Sequence, residues 1–162
     1  MVAAMTEDLP DSARKVANAA ATAGLSVSIV EMPQSTRTAE DAATACGCVV
    51  AQIVKSLVFV GADSGRPYLL LVSGENRVDE TAIAAELGEA LARPNGRQVR
   101  DLTGYAIGGI PPIGHAQPIE TVIDTRLLDF ETVWAAAGTP RCVFSVEPKA
   151  LADAAGARSY RF

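Results

Sequence analysis

The chain has 162 residues, 49% of them hydrophobic, 20% charged and only 5% aromatic, which is enough for a soluble domain with a proper core packed largely from small side chains. The net charge of −5 excludes a global attraction to nucleic acid, so any RNA contact has to come from a local basic patch. No apolar run approaches the roughly 20 residues of a bilayer-crossing helix. The opening MVAAMTEDLPDSARK lacks the basic and apolar regions of a secretory signal, so a cytoplasmic, reduced protein is expected.

In chain order, SARKVANAAATAG (12–24) predicts a helix with Ser12 as N-cap and Gly24 as its stop. LSVSIVEM (25–32) predicts a strand. TAEDAATACG (38–47) predicts a second helix, with Thr38 and Asp41 in a capping-box arrangement and Gly47 closing it. QIVKSLVFVG (52–61) and PYLLLVSG (67–74) predict two apolar strands of a hairpin around the turn-rich ADSGR. VDETAIAAELG (78–88) predicts a helix with Asp79 near its start and Gly88 at its end. RPNGRQVRDLTG (93–104) predicts a short helix ending at Gly104, and YAIGGIPPIGHAQP (105–118) a loop. IETVIDT (119–125) is a strand, FETVWAAAGTPRCVFSV (130–146) two strands around a Gly-Thr-Pro-Arg turn, and PKALADAAG (148–156) a last helix with Pro148 in its first turn. Helices and strands interleave without strict βαβ repetition, which predicts an α/β (α+β) fold, a mixed sheet packed with helices, in one domain over residues 1–162.

Lys55 is the first chemical anomaly. Ile53, Lys55, Leu57 and Phe59 share one face of the strand, and Val54, Ser56, Val58 and Val60 the other. Both faces are apolar enough to be covered. Three readings are open for the lysine. It lies on an edge and discourages aggregation, it buries its stem and lets the head reach water, or it enters a pocket where an anionic ligand compensates its charge.

The second anomaly is GYAIGGIPPIGH (104–115), where glycines let backbone approach a ligand and prolines fix the path. The alternative is an ordinary rigid connection. His115 is the only histidine, with no acidic partner placed by the sequence. Cys46 and Cys48 could offer thiolates, but Cys142 and His115 are distant in sequence, so no metal is expected. Arg93, Arg97 and Arg100 share a face if their stretch is helical and could then contact a phosphate backbone; a solvated face is the alternative. GENRVD (74–79) follows a strand and could supply polar groups to the rim of a site. No Ser-His-Asp order, P-loop or dinucleotide fingerprint appears, and no cofactor is expected.

IVKSLVF (53–59), LLLVSGENRVD (69–79), TGYAIGGIPPIGH (103–115) and TVIDTRLLDFETVWAAAGTP (121–140), in that order, resemble the YbaK/prolyl-tRNA synthetase-associated editing domain family. The likeness runs from about Gly24 nearly to the C-terminus. It implies a mixed, barrel-like sheet with helices outside. It implies a free-standing deacylase that hydrolyses the ester of mischarged aminoacyl-tRNA, with a small amino acid such as alanine or cysteine on tRNA(Pro). Lys55 matches the family's key functional residue, and Gly108 and Gly109 match the loop lining its pocket. Beside Gly108 and Gly109, the candidate substrate-binding residues are Ser56, Ile110 and His115. The partner implied is the aminoacylated 3′ end of a tRNA; the chain's acidity adds a synthetase or another partner to deliver it, and no membrane is expected. Pro111 and His115 depart from better-known members, so their amino-acid specificity does not transfer. Two rivals stand beside this reading: a non-catalytic module binding an aminoacyl-tRNA end or a small amino-acid-like ligand, and a thiol protein using Cys46 and Cys48.

Overall fold

Each helix starts where a side chain or a proline suits its first turn. The structure, a computed structural model, describes residues 8–162; the leader reading therefore lies partly outside the described residues. Helix α1 (Asp11–Thr22) is preceded by Pro10 as N-cap, two residues earlier than the Ser12 cap expected from sequence, so Ser12 lies inside the helix. In α2 (Ala39–Cys46) the Thr38 side chain accepts from the Asp41 N–H, and Gly47 closes the helix at φ +68°, as read from sequence. Helix α3 (Glu80–Leu87) is capped by Asp79, which accepts from the Ala82 N–H. Helix α4 (Gly96–Thr103) is capped reciprocally by Asn95 and Gln98. Helix α5 (Pro148–Ala155) carries proline in its first turn.

The strands are β1 (Ile29–Glu31), β2 (Ile53–Gly61), β3 (Pro67–Ser73), β4 (Leu91–Ala92), β5 (Glu120–Asp124), β6 (Val133–Ala136), β7 (Cys142–Val146) and β8 (Arg158–Tyr160). They form one mixed sheet in the order β1-β7-β6-β2-β3-β5-β8, with β4 on β2. The predicted mixed sheet with helices outside is present, although no ladder joins β1 to β8 among the described residues, so the barrel is left open. The predicted strand 25–32 shortens to β1, whose ladder is the three pairs it makes with β7. Neither β4 nor β8 was expected; each has at most three residues and shows no periodicity of its own.

Strand β3 explains the core. Leu69 and Leu71 pack with Ala13, Val16 and Ala20 of α1 and Leu151 of α5. Leu70 and Val72, on the opposite face, pack with Ile83 of α3 and Phe59. Both faces are covered, which is why this strand is a continuous apolar run.

Strand β2 has different neighbours along its two edges. Strand β3 pairs with it from Val54 to Val60. On the other edge, β6 pairs only with Ile53 and Val54, in parallel, and β4 only with Val60 and Gly61. Residues 55–59 therefore have no strand partner on that edge. The gap opens where Lys55 sits.

Candidate active site

A cleft of about 710 Å³ lies at this gap. Its walls come from β2 (Ile53 to Leu57), from residues 36–40 leading into α2, from the turn 74–77, from Ile107, Gly108 and Ile110 of the glycine loop, and from Trp134, Ala135 and Ala136 of β6. Lys55 is half-buried in it and donates its ammonium to the Asn76 carbonyl. Burial lowers the lysine pKa; Glu40 and Asp124 oppose that shift and Arg77 adds to it. The ammonium is thus partly desolvated, in a cleft lined in part by apolar residues, where a charge acts more strongly on a ligand than in water.

The turn that holds the lysine has its own support. Asp124, at the end of β5, is 1% exposed. Its Oδ2 accepts from the Ser73 N–H at 3.0 Å and from Asn76 Nδ2 at 2.9 Å, and its Oδ1 accepts from the Arg126 N–H at 3.0 Å. The Ser73 hydroxyl donates to the Ala51 carbonyl at 2.7 Å. A buried carboxylate thus fixes residues 73–76, and Asn76 presents its carbonyl to Lys55. Sequence reasoning missed Asp124 and Asn76 as site residues; GENRVD, read as a rim segment, was the signal that could have found the second.

Of the other predicted site residues, Ser56, Gly108 and Ile110 line the cleft beside Lys55. The Ser56 hydroxyl oxygen is buried and has no hydrogen-bond partner among the described residues. Gly108 adopts φ +100°, a conformation suited to glycine, and the Arg37 side chain lies over it. Among the described residues the N–H groups of Gly108 and Ile110 meet no acceptor. Gly109 is not in the lining. Its N–H donates to the Ala106 carbonyl at 3.2 Å and its carbonyl accepts from the Gly138 N–H at 2.8 Å. A Cβ on Gly109 would lie 2.7 Å from the Thr139 backbone, so this glycine allows two chain segments to touch.

His115 is also outside the lining. Its Nε2 lies 2.7 Å from the Pro111 carbonyl. A carbonyl only accepts, so that nitrogen carries a proton, and the ring supports the glycine loop. Burial lowers its pKa from 6.5, against the Pro111 contact that raises it. The native state thus favours the neutral ring. Below pH 6.5 the unfolded chain binds the proton more readily, so stability present above that pH is lost as pH falls through the lowered native value. The melting temperature of the unaltered chain should therefore fall faster between pH 7 and pH 5 than that of His115→Gln, whose amide can still donate to Pro111. Parallel curves would show that the ring titrates alike in both states.

The arginine trio does not form one face. Arg93 precedes α4, binds Glu80 at 2.8 Å and lies over the Phe59 ring, while Arg97 and Arg100 are exposed on α4, and none of the three lines the cleft. Burial and the neighbouring Cys48 push the Cys46 thiol up to about 12, and burial raises Cys48 as well. Neither is a ready thiolate at neutral pH. Among the described residues no group of His, Cys, Asp and Glu could hold a metal ion, and no helix is long and apolar enough to cross a membrane.

The sequence profile of the aminoacyl-tRNA editing domain matches residues 33–154. The chain is 30% identical over 125 residues to the "Uncharacterized protein YwhH" of Bacillus subtilis (strain 168), covering 77% of this chain and 79% of that one. It is 31% identical over 94 residues to the "Proline--tRNA ligase" of Limosilactobacillus fermentum, covering 56% of this chain but only 16% of the ligase. Among solved structures, one named "putative trans-editing enzyme for prolyl tRNA synthetase" superposes with a TM-score of 0.89 at 48% identity, covering 94% of this chain and 97% of that one. The crystal structure of "hypothetical protein APE2540" superposes with a TM-score of 0.83 at 28% identity, covering 91% and 97%. The lysine strand, the glycine loop and the profile match across most of the chain place this protein in the aminoacyl-tRNA editing domain family.

Proposed function

We propose that this chain is a trans-editing deacylase, hydrolysing the ester that joins a wrongly attached small amino acid, such as alanine or cysteine, to tRNA(Pro). The observation that carries the reading is the half-buried Lys55 ammonium, held on the Asn76 carbonyl in a cleft opened by the unpaired edge of β2. The profile match and the prolyl-tRNA-related names of two similar proteins support it.

In the reaction, water adds to the ester carbonyl, and the bond from that carbon to the ribose oxygen breaks. The proton lost by water ends on the ribose oxygen, releasing free amino acid and uncharged tRNA. Lys55 faces the oxygen on which negative charge develops, and the unpaired N–H groups of Gly108 and Ile110 are donors for the same atom. Gly109 has both main-chain groups engaged and contributes by letting the loop pack. The lining holds no histidine or cysteine among the described residues, and of its carboxylates Glu75 is engaged by Arg126 and Glu40 is exposed at the start of α2, so the reading gives the activation of water to the adjacent ribose hydroxyl of the tRNA. Ser56 and the walls formed by Ala135, Ala136 and Ile110 receive the acyl side chain, and their size favours small ones. A cytoplasmic location and delivery by a synthetase fit a chain of net charge −5.

The test is deacylation of a panel of labelled aminoacyl-tRNAs, beginning with alanyl-, cysteinyl- and seryl-tRNA(Pro). Hydrolysis of at least one well above the spontaneous rate is expected. An ester that becomes longer-lived in the presence of the protein would instead identify a binding module.

A further inference from the structure

Among the described residues, two arginines stand in the cleft wall without a protein partner. Among the described residues, the guanidinium groups of Arg14, Arg66, Arg93, Arg126, Arg141 and Arg158 each make a hydrogen bond or an ion pair. Arg37, Arg77, Arg97, Arg100 and Arg161 do not; of these five exposed arginines only Arg37 and Arg77 line the cleft.

Their positions are nevertheless built. Arg37 immediately precedes the Thr38 cap of α2, and its side chain is laid across the backbone of Gly108. The place a Gly108 Cβ would occupy is 3.1 Å from its Nε and 3.3 Å from its Cγ. Arg77 follows Asn76, and therefore leaves the turn that buried Asp124 anchors. One segment thus delivers both the acceptor for Lys55 and the Arg77 guanidinium. Ile107, next to Gly108 in the lining, is 57% exposed and leaves an apolar surface at the same place.

The charge balance of the cleft opposes that of the chain. Its cations are Lys55, Arg37 and Arg77 and its carboxylates Glu40 and Glu75, of which Glu75 is taken by Arg126 at 2.7 Å. A locally positive cleft in a chain of net charge −5 suits a polyanion. Arginine's planar donor fork matches a phosphate, and an apolar surface beside it suits the face of a base.

We propose that Arg37 and Arg77 bind internucleotide phosphates of the single-stranded 3′ end of an RNA, with Ile107 as the apolar contact for one of its bases. The inference rests on the reading of the cleft as the site of an aminoacyl-tRNA. It adds a division of labour: Lys55 addresses the ester, and the two arginines hold the strand that carries it. Sequence pattern had pointed to Arg93, Arg97 and Arg100 for that task, and they lie outside the cleft.

The test is binding of a 5′-labelled RNA hairpin with a single-stranded CCA tail, between 50 and 200 mM salt. The full chain is compared with Arg77→Gln, with Arg37→Gln/Arg77→Gln and with Arg100→Gln. Each phosphate contact in a single strand contributes about 0.7 to the slope of log affinity against log salt. The single variant should lose about 0.7 of that slope and the double variant about 1.4, with binding at low salt at least about tenfold weaker in the double variant. Arg100→Gln should bind as the unaltered chain does. Equal affinity and slope in the unaltered chain and the double variant would overturn the proposal, as would an unaltered chain that binds no RNA or a slope lost chiefly in Arg100→Gln. Because Arg37 also packs on Gly108, the Arg77→Gln slope decides the matter even if the double variant folds poorly. Hydrolysis of aminoacyl-tRNA by the unaltered chain, followed in parallel, tests the activity reading separately.

Discussion

Replacing Lys55 by alanine is expected to slow deacylation by about 10²- to 10³-fold, the effect of removing one preorganised group that stabilises a developing oxyanion. The fold should survive. The ammonium is half-buried, its pKa is lowered chiefly by burial, and its bond to the Asn76 carbonyl lies at the edge of a cleft that water can refill. The methylene stem loses some packing, so a melting temperature within a few degrees of the unaltered chain is the companion result. Single-turnover hydrolysis of the best panel substrate and a thermal melt measure the two together. An alanine variant that hydrolyses at the normal rate would rule out this role for the lysine. Loss of rate together with loss of the folded state would leave the residue a structural one.

Asp124→Ala should give the largest loss of stability in this region. The substitution removes the acceptor of three N–H donors, from Ser73, Asn76 and Arg126, at a site 1% exposed. Each buried donor left unsatisfied costs about 1–3 kcal/mol, and water entering the space recovers part of it. With three such donors and partial recovery by water, the net expectation is about 3–5 kcal/mol. For a chain of this size that lowers the melting temperature by on the order of 10 °C. Asn76→Ala is the milder partner: it keeps the carbonyl that accepts from Lys55 and cuts only the tether to Asp124. It should unfold close to the normal temperature yet hydrolyse more slowly, because the turn presenting that carbonyl is no longer held. Denaturant unfolding of both variants, with rates measured on the folded protein, separates the effects. If Asp124→Ala lost less than about 1 kcal/mol, the carboxylate would be a dispensable acceptor.

Local chemistry was readable from the residues alone. The Thr38 and Asp79 caps, the five-residue loop of the β2–β3 hairpin and the proline opening α5 depend on neighbours a few positions apart, and the chain displays them directly. So was the oddity of a lysine in an apolar strand. What the sequence hides is set by distant partners. The cleft exists because β6 runs beside β2 for only two residue pairs, a fact of a contact some eighty positions away. Asp124 reads as an ordinary polar residue at a strand end, and only the fold shows three donors converging on it. Arg37 lies between two elements, where no periodicity marks it. The Arg93, Arg97 and Arg100 spacing misled for the opposite reason: a regular interval suggested one helix face, but α4 begins only after Asn95.

The contact between Gly109 and the Thr139 backbone also constrains how such a protein can diversify. At that point two chain segments meet with no side chain between them, and Gly138 beside it sits against Ser12 in the same way, at 2.6 Å for a would-be Cβ. Three backbones stacked so closely leave no position at which a mutation can add or remove volume by small steps. That packing, behind the glycine loop, can be inherited or broken, but not tuned. The cleft wall from β6 and β7 is made of side chains, Trp134, Ala135, Ala136 and Val143, each open to gradual enlargement or trimming. Descendants of this sequence that accept a different amino acid should therefore differ along β6 and β7 and keep their glycines.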